Sequence, residues 1–153
     1  MKNGEKTNDY RGALEKNGAI SFIPEGTSMW PTIKGGKNTV IIQAIKSPIK
    51  PLDVIFYKRG EKNVLHRVMT VLEDGYLTMG DGLFFTEKVK KEDVFGVMAG
   101  FYRGKKYISA DDESYLAKVE RLYKKERTRK VKVNTYLFFV RIKRKIKKIF
   151  RKK

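Results

Sequence analysis

Between Ala19 and Ser109 the chain is a series of short β-type runs separated by turn residues, and this texture constrains the fold more than any other feature. The runs are Ala19 to Ile23, Thr39 to Ile45, Asp53 to Tyr57, Val64 to Leu72, Tyr76 to Met79, Val94 to Tyr102 and Lys106 to Ser109. Between them fall Lys34-Gly35-Gly36, Ser47-Pro48 to Pro51, Arg59-Gly60, Asp74-Gly75, Gly80-Asp81-Gly82 and Arg103-Gly104, residues that set turns through positive φ, fixed φ or local side-chain hydrogen bonds. Many short strands closely spaced predict a mainly β fold, a compact barrel or sandwich, over residues 19–110. Residues 1–18 read as a polar N-terminal arm, either a short amphipathic helix or a loose segment, with only Tyr10, Ala13 and Leu14 to bury. After Ala110 the period changes: Asp111 or Asp112 caps a segment with Tyr115, Leu116, Val119 and Leu122 at helical spacing, so residues 111–153 read as a helical tail.

Charge divides the chain in the same place. The net charge is +18, and residues 118–153 alone hold 17 Lys and Arg against two acids. The body is nearly balanced, so what the body does and where the tail takes it are separate questions. There is no cysteine and one histidine, His66, which excludes disulfides, zinc ribbons, iron–sulfur clusters, thiol nucleophiles and multi-histidine metal sites. No cofactor or metal is expected, and acid–base chemistry near neutral pH falls first to His66. The longest unbroken apolar run, Tyr136 to Val140, is far short of the roughly 20 residues a membrane helix needs. The N-terminus also lacks the apolar stretch of a secretory signal, so the expected location is cytoplasmic.

One segment breaks the β texture: Glu25-Gly26-Thr27-Ser28-Met29-Trp30-Pro31-Thr32. A nucleophilic serine needs an exposed oxygen, a backbone N–H for the oxyanion and rigid flanks. Gly26, Met29, Trp30 and Pro31 are residues of that kind, although an ordinary loop with a hydrophobic plug reads the same way. His66, taken alone, fits equally as a structural residue on the Val64/His66/Val68 face of a strand.

The run Gly26 to Thr32 resembles the G-x-S-M-x-P-T box of the type I signal peptidase family. Further boxes follow in that family's order: Leu52-Asp53-Val54-Ile55-Phe56 is similar to its G-D-V-I-x-F strand, Leu65-His66-Arg67-Val68 to its H-R-V box, Met79-Gly80-Asp81-Gly82 to its K-G-D-N turn, and Phe95-Gly96-Val97 to its closing strand. The likeness spans roughly residues 19–105. It implies a signal-peptidase-like β domain of the serine–histidine subtype, as in archaeal, endoplasmic-reticulum and sporulation-associated members. By the same resemblance Ser28 is the nucleophile, His66 the general base and Asp81 the acid that orients it, with Asp53, Asp74 and Glu87 as other carboxylates for that role and Asp53 the more structural of them. An extended precursor peptide or protein would add to the edge near Ala19 to Pro24, against Ile20, Phe22, Gly26 and Met29. Leu52 stands where the family has glycine, and Met79 and Gly82 replace the usual neighbours of Asp81. The transmembrane helix that relatives carry is missing.

Residues 134–153 place Phe138, Phe139, Ile142, Ile146, Ile149 and Phe150 at helical spacing among lysines and arginines. Such a stripe suits a helix lying on an anionic membrane, which would make the protein peripheral at the inner face. It equally suits a helix packed on the body. Nucleic acid fits less well, because a phosphate backbone would leave the apolar stripe exposed. The expectation is a serine endopeptidase that removes a leader or signal segment from a precursor. Its rival is a non-catalytic adaptor of the same fold that binds membrane or nucleic acid through the tail.

Overall fold

The computed structural model describes residues 9–125. Its core is one antiparallel eight-stranded sheet, curled into a half-barrel. The strands are β1 (Ala19–Phe22), β2 (Thr39–Gln43), β3 (Val54–Arg59), β4 (Lys62–Leu72), β5 (Gly75–Met79), β6 (Glu87–Lys90), β7 (Val94–Arg103) and β8 (Lys106–Ser109). Their order is β1-β2-β7-β3-β4-β5-β6, with β8 paired to β7. Each run read from the sequence is a strand, with ends shifted by a few residues. β6 was not expected. Its sequence, Glu-Lys-Val-Lys, holds one apolar residue, and Val89 alone is buried because this edge strand pairs only with β5.

Register irregularities at Ile41/Ile42, Phe56/Tyr57 and Val68/Thr70 help curl the sheet, since an unpaired residue bends and twists its strand. Ile55, Tyr57, Val64, Val68, Val89 and Val94 form one buried cluster, and Phe56, on the other face of β3, is buried beside Phe22 and Phe95. β4 is long enough to serve two neighbours. Residues 62–67 pair with β3, and pairing with β5 begins only at Arg67, so among the described residues no strand pairs with the second edge of residues 62–66.

Where it is described, the N-terminal segment takes the helical of its two readings. Tyr10–Asn17 form a helix, α1, in which Asp9 accepts the Gly12 N–H at 2.9 Å and Gly18 closes the end at φ 73°. Leu14 packs down on β7 at Gly96, where any side chain would meet Leu14 and Ile42 within 3 Å. Tyr10 joins Phe22 and Phe56 in an aromatic cluster, and Arg11 lies over Phe95.

Of the described residues, 9–116 belong to one compact unit and 117–125 to a second. Residues 113–125 are helical, with Asp112 accepting the Tyr115 N–H at 2.8 Å. The first unit thus includes residues 111–116, which the sequence reading gave to the tail, because Tyr115 packs its ring on Phe101. The apolar stripe at 134–153 lies outside the described residues.

If α1 belongs to the core, Leu14→Ala removes a fully buried side chain and lowers unfolding free energy by about 2–5 kcal/mol in chemical denaturation. A loss below about 0.5 kcal/mol, the range of surface substitutions, would mean that the helix contributes nothing to it.

Candidate active site

Three segments distant in sequence meet at one end of the half-barrel. The first is the Ser28 loop between β1 and β2, folded into turns by Trp30 N–H to Thr27 O and Ile33 N–H to Met29 O. The second is the part of β4 that carries His66 and Arg67, and the third is the turn Gly80 to Leu83 after β5. The turn is sewn to the loop by Gly82 N–H donating to Ser28 O at 2.8 Å. Gly80 sits between the two candidate catalytic residues: a Cβ there would stand 2.5 Å from Ser28 O and 3.1 Å from His66 Nε2. Only glycine allows this approach.

Asp81 and Arg67 hold the arrangement from beneath. Arg67 donates to Asp81 through Nε at 2.8 Å and Nη2 at 2.7 Å, a two-pronged ion pair with both side chains buried. The same carboxylate accepts the Thr32 hydroxyl, from the far end of the Ser28 loop. Arg67 spends its other donors on Leu52 O at 2.8 Å and Tyr115 Oη at 2.9 Å. Burial works against its charge, but Asp81 and Tyr115 outweigh that and raise its pKa. Leu52 meets Arg67 from a left-handed conformation, φ 75°, which costs a side-chain-bearing residue about 1–2 kcal/mol.

Ser28 and His66 line one cleft of about 500 Å³, together with Phe22, Gly26, Met29 and Leu65. Ile20 is not among its lining residues; it lies half-buried on β1, paired with Ile42. Met29, Ile33, Phe56 and Leu65 give the cleft an apolar, buried floor. Ser28 is half-buried, and neither its backbone N–H nor that of Met29 donates to another described residue.

His66 is 3% exposed, and burial lowers its pKa, opposed by the charges of Glu87 and Asp81 and helped by Arg59. Its Nδ1 stands 3.0 Å from the Tyr57 hydroxyl and 4.0 Å from Glu87 Oε2. Burial raises the pKa of Tyr57, so this phenol stays protonated. Glu87 in turn accepts Arg59 Nη1 at 2.8 Å. The nearest groups at Nδ1 are therefore Tyr57 and Glu87, while Asp81 is held by Arg67 and Thr32 and acts on the imidazole through its charge.

The other carboxylates serve turns. Asp53 accepts Lys50 N–H at 2.9 Å, and Asp74 pairs with Lys88 at 2.7 Å on the surface. Among the described residues no three His, Asp or Glu side chains converge as metal ligands would. Sequence reasoning missed Tyr57, which has no motif, and the part of Arg67 as the hub beneath the site. No protein-family model matches the chain, and no curated protein matches it.

Removing one member of a buried ion pair strands the other, so Arg67→Met lowers stability by about 3–5 kcal/mol. Thermal or urea unfolding checks this, and a loss under about 1 kcal/mol would contradict a load shared among Asp81, Leu52 and Tyr115.

Proposed function

We propose that the protein is a serine endopeptidase resembling the type I signal peptidases of serine–histidine type, and that it cuts a leader or signal segment from a precursor. The observation that supports this best is the approach of Ser28 and His66 to the same glycine, Gly80, in a cleft with an apolar floor. In this reading Ser28 Oγ attacks the scissile carbonyl while His66 Nε2 takes its proton. The Ser28 N–H faces the developing oxyanion, His66 returns the proton to the leaving amine, and water then releases the acyl group by the same route.

In this reading the Tyr57 oxygen accepts Nδ1–H from His66, and Nε2 is left as a lone-pair acceptor on the Ser28 side. The Glu87 carboxylate, 4.0 Å from Nδ1, favours the proton on that nitrogen, and Asp81 fixes the loop that carries the nucleophile.

The substrate segment runs extended between two free edges. Among the described residues, β1 pairs only with β2, and residues 62–66 of β4 pair only with β3. Phe22, Gly26 and Met29 are contacts for the residues before the cut, where small apolar side chains fit the floor. No helix among the described residues is long and apolar enough to cross a membrane. The net charge of residues 118–153 favours peripheral attachment to an anionic membrane.

A fluorophosphonate probe should label Ser28 in the wild type and not in Ser28→Ala, which keeps its fold because a single hydroxyl contributes little. His66→Ala should slow labelling by about 10²-fold or more, and Glu87→Gln by a smaller factor. Labelling at a residue other than Ser28, or at equal rates in His66→Ala, would overturn the reading.

The pH dependence has a definite sign. Burial favours the neutral imidazole, so the base form persists below the usual value near 6.5, and activity falls only as pH drops through that lowered pKa. A rate that rises only above about pH 9 would point to a lysine base instead.

A further inference from the structure

The chain leaving Ser28 also walls a second cleft, of about 510 Å³, lined by Trp30, Lys34, Lys37, Asn38 and Arg103 among others. All of its charged lining residues are cations. Arg103 is set in place by donating Nη2 to Thr32 O at 3.0 Å and by lying 5.6 Å from the centre of the Phe101 ring. Asn38 is 3% exposed, and its side-chain oxygen accepts the Lys34 N–H at 2.7 Å, which fixes the orientation of the amide. Among the described residues nothing accepts from that amide's N–H groups, so a buried donor lines a cationic cleft without a partner. Such a donor costs free energy until an oxygen reaches it.

Three cations and an amide lining one cleft, with no carboxylate among its lining residues, suit an oxyanion with many oxygens, and phosphate is the group that arginine and lysine together hold best. The surroundings indicate what carries the phosphate. Trp30 is 56% exposed, and the turn packed on its carbonyl at Gly82 continues into Phe84 and Phe85, 54% and 60% exposed. Trp30 lines the cationic cleft and Phe85 the Ser28 cleft, so exposed rings on one connected loop and turn accompany the cations, as at the boundary of a bilayer, with aromatics at headgroup depth and cations at the phosphates. We propose that the cleft of Lys34, Lys37, Asn38 and Arg103 binds the phosphate of an anionic lipid headgroup, with Trp30, Phe84 and Phe85 entering the interface. This site is separate from residues 134–153 and does not depend on the chemistry of Ser28. A single-stranded nucleic acid would use the cations and the indole but would leave both phenylalanines in water.

Trp30 is the only tryptophan in the chain, so its emission reports on this cleft alone. In the full-length protein, phosphatidylcholine vesicles containing phosphatidylglycerol should shift Trp30 emission to the blue and shield it from iodide. Vesicles of phosphatidylcholine alone should do neither. The variant Lys34→Gln/Lys37→Gln, which keeps Arg103 and its structural bonds, should need at least about tenfold more anionic lipid for the same shift. Sedimentation of the same samples separates attachment through the tail, which both proteins retain, from occupation of the cleft. The proposal is overturned if Trp30 emission stays unchanged while the protein sediments with anionic vesicles, or if the variant responds like the wild type. It is equally overturned if inorganic phosphate or oligothymidylate shifts Trp30 at lower concentration than the lipid.

Discussion

The buried pair of Arg67 and Asp81 is the interaction on which the candidate site depends. Ser28 lies on a loop and His66 on a strand, and neither element fixes the other by sheet pairing. Asp81 takes hydrogen bonds from Arg67 on β4 and from Thr32 at the end of the loop, so a single carboxylate ties the nucleophile's segment to the strand of the base. Gly82 N–H on Ser28 O adds a second tie from the same turn. Two buried charges are costly in a low-dielectric interior, and here the cost is offset because the guanidinium also reaches Leu52 O and Tyr115 Oη. The strained backbone of Leu52 belongs to the same arrangement, since its carbonyl is one of those acceptors.

This division of labour separates position from proton transfer. Asp81 sits where a motif reading puts the acid of a triad, yet its two oxygens face Arg67 and Thr32. The Nδ1 side of His66 belongs to Tyr57 and Glu87, and Glu87 in turn is paired with Arg59 at the protein surface. In the proposed mechanism one carboxylate holds geometry and the other, 4.0 Å from Nδ1, favours the proton on that nitrogen.

Much of the fold was legible because β-branched and aromatic runs broken by Gly, Pro and Asp leave few alternatives to a curled antiparallel sheet. Ser28 and His66 stood out for their chemistry, one as a hydroxyl in a rigid loop and the other as the only imidazole. β6 was not legible, since a single valine among charged residues carries no period, and with it went the spatial position of Glu87 beside His66. Arg67 could not be read as buried, because arginine is seldom so without a partner, and its partner lies fourteen residues on across a hairpin. Tyr57 looked like any strand aromatic: which of its neighbours shares its hydroxyl depends on register between β3 and β4, where it faces Val64 and still reaches His66.

The central claim is that His66 is a neutral base with its proton on Nδ1 and its lone pair turned toward Ser28. Because the chain has one histidine, nitrogen-15 NMR of the imidazole reads this state without assignment. The account predicts the Nδ1–H tautomer at neutral pH, a titration midpoint below 6.5, and a shift of the Nε2 resonance when a fluorophosphonate occupies Ser28. An Nε2–H tautomer, a midpoint above 6.5, or an imidazole indifferent to modification of Ser28 would contradict it.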